Sequence, residues 1–298
     1  MKNLFPIFLL FPLLASDNSK KPVQNYDPLT RSVGKTTANI DRKYGDHSGN
    51  RVFCRFYNFG GIGDAGNSFS GVYPIGSAHS YFYEFTPVVA ASVLDTNGYR
   101  KHIVSDGVVA PALVDDSPEG TPWGFEPLPG YANPNQEYMA MSHIEDSWPN
   151  SWPNRDSGWD GYWNGAYGKY TRADQESFFV MDDFYNDEFA YFPDSTDKNN
   201  VERRAGLGIE IEARGYQWAH PAAEDIIIVT YLITNVGTST LDSVVFGMYG
   251  DADIGGSSDF HDDDAWFDTE NDMVFQWDHN GWSNSYGGFK PGFFCWGF

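Results

Sequence analysis

Cysteine is almost absent from this chain: Cys54 and Cys295 are the only two in 298 residues. Two thiols so far apart offer neither a disulfide scaffold nor the closely spaced ligands of a structural zinc site. Export would permit a bridge between them, but spacing alone does not bring them together. Positive charge is scarce as well, with 19 Lys plus Arg against 41 Asp plus Glu, a formal charge of −22 and a pI near 4.4. Such a surface repels nucleic-acid phosphates and anionic headgroups, so neither is an expected partner. Beyond the N-terminus no apolar run approaches the ~20 residues needed to cross a bilayer as a helix. Helical periodicity is missing too, since no segment keeps apolar residues at three-and-four spacing over several turns. The motifs G-x-S-x-G and H-E-x-x-H do not occur, and His47, His79, His102, His143, His220, His261 and His279 are scattered singly. GIGDAG at 61–66 has dinucleotide-fingerprint spacing, but the NSFSGVYPIG that follows cannot open the helix that a pyrophosphate requires. It reads as a glycine loop.

What is present is aromatic and β-prone. The composition, 41% hydrophobic and 17% aromatic, supplies a core and argues against global disorder. The start, MKNLFPIFLLFPLLAS, has Lys2, an apolar stretch over residues 4–14 and a small residue at Ala15, the pattern of a signal peptide over residues 1–15. Residues 16–50 are polar and comparatively basic, an extended lead segment. From Arg51 short apolar runs alternate with turn residues, and RVFCRFYNF, YFYEF, PVVAASVL and HIVSDGVV read as strands. Asn97-Gly98 predicts a type I′ hairpin turn. In GLGIEIEARGYQW the period of two predicts a half-buried strand, and the change of phase after Gly215 predicts a bulge there. EDIIIVTYLITN and LDSVVFGMYGDAD, linked by VGTST, read as a β-hairpin similar to the strand pairs of Ig-like repeats. DMVFQW and GFFCWGF add further strands, and the apolar end at Phe298 suggests a longer natural chain. The expected class is all-β: antiparallel sandwiches with long aromatic-rich loops, divided into a region over 51–200 and another over 201–298.

Two stretches stand out as candidate sites. Trp148, Trp152, Trp159 and Trp163 lie in a Pro-, Gly- and Asn-rich segment. Their rings either stack on sugar faces or pin long loops to the sandwich, and the second reading is preferred. The other stretch, DADIGGSSDFHDDDAWFDTENDM at 251–273, is densely acidic. Calcium takes six to eight oxygen ligands, which closely spaced Asp residues supply. Asp251, Asp253, Asp259 and Asp262 fall at EF-hand-like intervals, yet Gly255 occupies a ligand position and the flanks are strands, so an EF-hand is rejected. A calcium loop on a β-sandwich and a plain solvated acidic loop both remain open.

GTPWGFEPLPGYANPN, MSHIEDSWPNSWP, WDGYWNGAYGKY, ADQESFFVMDD, RGYQW, LITNVGTSTLDSVVFGMYGDADIGG and AWFDTENDMVFQWD together resemble the N-terminal part of large, uncharacterised exported bacterial surface proteins. The resemblance covers the chain from about Asn50 to Phe298. Such relatives often continue into fibronectin-III-like or Ig-like modules and end in a type IX secretion sorting domain; the resemblance brings no activity or catalytic residues with it. The combined expectation is an exported, non-enzymatic surface or secreted protein, structural or adhesive, with possible calcium and with cell-surface or matrix partners. The alternative is an extracellular carbohydrate-binding or carbohydrate-processing protein that meets polysaccharide at the tryptophan loops.

Overall fold

A computed structural model describes residues 7–10, 13–15, 41–63, 71–109, 115–118, 120, 122–194, 204–256 and 258–297. The cleavage point after Ala15, most of the lead segment and residues 64–70, which include the second half of the glycine loop, lie outside that set. The strands are β1 (Ile7–Leu10), β2 (Leu13–Ala15), β3 (Tyr44–His47), β4 (Cys54–Tyr57), β5 (Glu84–Leu94), β6 (Arg100–Asp106), β7 (Glu126–Pro127), β8 (Ala140–Met141), β9 (Gln175–Asp182), β10 (Ile209–Gln217), β11 (Ile226–Asn235), β12 (Asp242–Asp251), β13 (Asp263–Asp268), β14 (Met273–Asp278) and β15 (Phe294–Gly297). Among the described residues there is no α-helix, only single turns of 3-10 helix. The fold is all-β, as the residue pattern implies.

A large sheet runs β13-β14-β15-β1-β11-β10-β9-β7, with β2 beside β11 and β8 beside β9. Facing it are the three-stranded sheet β12-β5-β6 and the pair β3-β4. Their inner faces share one core. Phe56, Phe82, Phe85, Val89 and Ile103 come from the small side, and Met181, Ile211, Val229, Tyr231 and Phe294 from the large sheet. Cys54 and Cys295 are both buried in this sandwich. Side chains alternate along a strand, so a strand covered on both faces is buried throughout. β9 is such a strand: Phe179 and Met181 enter the main core, while Phe178 and Val180 enter a second core made with Leu128, Tyr131, Ala140, Trp152 and Trp163. The fold also starts before Asn50, because β3 pairs with β4 from Tyr44↔Tyr57 to His47↔Cys54. Elements from 51–200 and 201–298 interleave, with β9 beside β10 and β5 beside β12.

Three local expectations are corrected. YFYEF and PVVAASVL are not separate strands but merge largely into β5, and the interior Pro87 sits opposite Met248 just beyond the last β6 pairing at Val88↔Asp106. There its missing N–H costs little. No bulge occurs at Gly215: the register runs Arg214↔Thr230, Gly215↔Val229, Tyr216↔Ile228 without a break. Glycine is required for space instead, since a Cβ there would lie 2.7 Å from both His47 Nε2 and Ser177 Oγ. Nor do β11 and β12 form a hairpin. β11 pairs with β10, while β12 crosses to the opposite sheet and pairs with β5. The link at 236–241 is therefore an arch across the sandwich, and Tyr231 and Phe246 meet inside it with ring centroids 5.6 Å apart.

The Asn97-Gly98 hairpin does form between β5 and β6, closing at Leu94↔Arg100. Its turn is not type I′, because Gly98 (φ +80°) has positive φ and Asn97 does not. The Asp95 carboxylate instead accepts from the Asn97 and Tyr99 N–H groups, each at 2.8 Å.

Candidate metal centre

The acidic stretch follows β12 and folds back over the end of the β13–β14 hairpin. After residues 254–256 the chain makes one 3-10 turn, Phe260–Asp262, and enters β13 at Asp263. The hairpin register pairs Asp263 with Asp278. Asp278 is thereby placed beside the loop, and one carboxylate oxygen from each of Asp259, Asp262 and Asp278 lies within 4.8 Å of the other two. Oxygens sharing a calcium ion at 2.3–2.6 Å have separations in this range.

Part of the cluster is anchored. Asp278 is buried, 5% exposed, and its Oδ1 accepts hydrogen bonds from the N–H groups of Gly281 and Trp282. The Asp262 Oδ2 accepts from the Asn280 amide at 2.7 Å. The remaining oxygens are not provided for. Asp259 Oδ2, Asp263 Oδ1 and Asp278 Oδ2 are all buried without a hydrogen-bond partner. Each orphaned polar atom costs about 1–3 kcal/mol in a folded protein, and neighbouring negative charges add repulsion.

The protonation equilibria record that cost. Burial, with repulsion from Asp278, Asp253 and Asp262, pushes the Asp263 carboxyl up to about 7, although the Ile254 N–H opposes the shift. Burial and the nearby Asp251 push Asp253 up to about 6, partly offset by His261. Asp278 and Asp251 are raised first by burial, and Asp278 further by its side-chain contact with the Asp259 carboxyl, which is favourable only when a proton is held between the two. These groups therefore favour a shared proton or a cation over bare charge. Asp259, Asp262 and Asp278 supply hard oxygen donors, which suit calcium better than a soft or nitrogen-preferring metal.

The four Asp residues singled out from sequence divide. Asp259 and Asp262 belong to the cluster; Asp251 ends β12 opposite Glu84, its Oδ2 3.5 Å from the Tyr249 hydroxyl. Asp253 approaches the cluster through its electrostatic contact with Asp263. Asp278 escaped sequence reading because it closes DMVFQWD, outside the acidic run, and only hairpin register carries it in.

The tryptophans also divide. Trp152 and Trp163 are 2% and 3% exposed, and their indole N–H groups donate to the Tyr162 carbonyl and the Glu176 carboxylate. Trp148 donates to the Met141 carbonyl. Buried rings present no face to a sugar, so of the four it is Trp148 and Trp159, both half-buried against the second core, that keep exposed surface. A histidine–serine contact exists, His47 Nε2 to Ser177 Oγ at 2.8 Å, but both residues are 0% exposed. Burial drives His47 down to about 3 and keeps it neutral. Ser177 Oγ accepts the Gly215 N–H, so the pair braces the sheet.

No family model, curated protein or solved structure matches this chain.

Proposed function

We propose that the protein is an exported, non-enzymatic structural or adhesive protein of the cell surface or secreted fraction, with its acidic end locked by calcium. The single observation that carries the calcium reading is the meeting of Asp259, Asp262 and Asp278 within 4.8 Å of one another, with Asp259 Oδ2 and Asp278 Oδ2 buried and partnerless. A divalent cation would satisfy them and cancel their mutual repulsion, tying residues 259–262 to the hairpin end at Asp278. Export is supported by the signal-like start MKNLFPIFLLFPLLAS, and a scaffold role by the all-β sandwich, in which the buried Ser177–His47 pair gives no accessible nucleophile. Cell-surface or matrix components are the corresponding partners.

Isothermal titration of the chelator-stripped protein with calcium tests the site. We expect saturable binding that is lost in Asp259→Ala and Asp278→Ala. Heats indistinguishable between those variants and the parent would remove the cluster from consideration.

A further inference from the structure

The surface of the tryptophan-rich segment treats its cations differently from the rest of the molecule. Elsewhere arginines meet carboxylates, even where they also lie over a ring as Arg42, Arg51, Arg55 and Arg214 do: Arg42 with Glu126, Arg51 with Asp225, Arg55 with Asp46, Arg100 with Asp242, Arg204 with Asp182, and Arg214 with Glu212. Between 155 and 172 the cations lie over aromatic rings. Arg155 sits 4.4 Å from the Trp159 centroid, Lys169 4.8 Å from Tyr162 and 5.7 Å from Trp159, and Arg172 5.0 Å from Tyr170 and 5.5 Å from Tyr167. Among the described residues none of these three makes an ion pair, although Asp156 and Asp160 lie in the same stretch. Asp156 uses its carboxylate to cap the Gly158 N–H instead. Lys169 spends one donor on the Gly158 carbonyl, and Arg172 one on the Tyr170 hydroxyl. An ammonium carries three donors and a guanidinium five, so most of this capacity faces solvent unspent. The rings are open as well, with Tyr167 77% exposed and Tyr162 and Tyr170 each 52%.

In a chain of net charge −22, a patch that keeps its cations off carboxylates is complementary to an external anion. We propose that the surface formed by Trp159, Tyr162, Tyr167, Lys169, Tyr170 and Arg172 binds an acidic polysaccharide, a chain of sugars bearing carboxylate or sulfate groups. The exposed phenol rings offer flat faces and hydroxyls to sugar rings, and the ring-held cations take the acid groups. A neutral glycan would leave the cations without a purpose. Nucleic acid, with its denser phosphate charge, meets stronger repulsion from the acidic remainder of the protein. The site is separate from the acidic cluster, so it stands whether or not calcium binds.

The test is binding of the full chain, in excess chelator and at low ionic strength, to immobilised polygalacturonate, a sulfated galactan, neutral dextran and single-stranded DNA. Chelator removes calcium bridging as an explanation. We expect binding to one or both acidic glycans, none to dextran, weaker binding to DNA, and release by salt. Lys169→Gln with Arg172→Gln should weaken glycan binding about tenfold, as should Tyr162→Ala with Tyr167→Ala, with melting curves unchanged. Retention of binding by the charge variant, equal binding to dextran, preference for DNA, or no binding to either acidic glycan would each overturn the proposal. The carboxylated and sulfated arms report which acid group is preferred.

Discussion

In the tryptophan-rich loops the packed indole donors end on protein acceptors, Trp148 on Met141, Trp152 on Tyr162 and Trp163 on Glu176, and Arg155 gives its Nε–H to Asn164. The rings close over β9 into a second core in which Trp152 lies 6.0 Å from Trp163 and 5.7 Å from Phe178. At the acidic end, an irregular loop meets the β13–β14 hairpin, acceptors outnumber donors and buried carboxylate oxygens are left over. Both regions carry irregular backbone against the same large sheet. One satisfies its buried polar groups with its own side chains, and the other leaves the buried oxygens Asp259 Oδ2, Asp263 Oδ1 and Asp278 Oδ2 without partners. Irregular backbone is stable where polar groups are satisfied, and indole, an apolar ring with a single donor, satisfies them while burying area. Carboxylates offer acceptors alone.

The largest effect is expected from breaking the self-sufficient region. Trp163→Ala should cost about 3–5 kcal/mol, read as a lower urea midpoint, and calcium should not restore it. Next in size is the dependence of the acidic end on an added cation. With calcium at about 100 times its dissociation constant, the native state should gain about 2.7 kcal/mol over the chelated protein. Asp278→Asn should abolish that gain while slightly raising the melting temperature in chelator, because it removes charge and keeps the Oδ1 acceptor. A variant that melts lower in chelator and still responds to calcium would show that the two regions do not differ as described.

A smaller effect is a dependence on pH that is opposite to the usual behaviour of carboxylates. Asp263 and Asp253 have folded-state values raised to about 7 and about 6, above their ordinary 3.8. The folded protein holds more protons than the unfolded chain between roughly pH 4 and 7, so their contribution is full below that window and is lost as pH rises through it. Asp183, buried and raised to about 6, has the same sign. In chelator, the melting temperature should therefore fall from pH 5 to pH 8, and calcium should flatten the fall because it competes with the protons. A profile in chelator that rises over this range would contradict the assignment. The smallest effect is expected at Trp159→Ala, under about 1 kcal/mol by chemical denaturation, because that ring and its neighbour Arg155 are only half-buried and its other cation, Lys169, is exposed.

Much of this was readable in the chain itself. The period of two in Ile209, Ile211 and Ala213, the β-branched run at Ile226–Asn235 and the turn at Asp95–Tyr99 act locally, through alternation of side chains and preferred backbone angles, and an all-β class follows from them. The scarcity of cysteine and cation, and the crowding of acids after Asp251, are likewise properties of the sequence. Partner choice is another matter. Whether β12 returns beside β11 or crosses to β5 depends on which apolar face must be buried, a balance over the whole sandwich. Gly215 reads as a bulge until His47 and Ser177 are seen pressed against it, and those residues are remote in sequence. The same reason divides the acidic residues: proximity along the chain nominates Asp251 and Asp253, while strand register brings in Asp278 and leaves Asp251 facing Glu84. Local pattern determines what each segment becomes; only long-range packing decides which carboxylates meet.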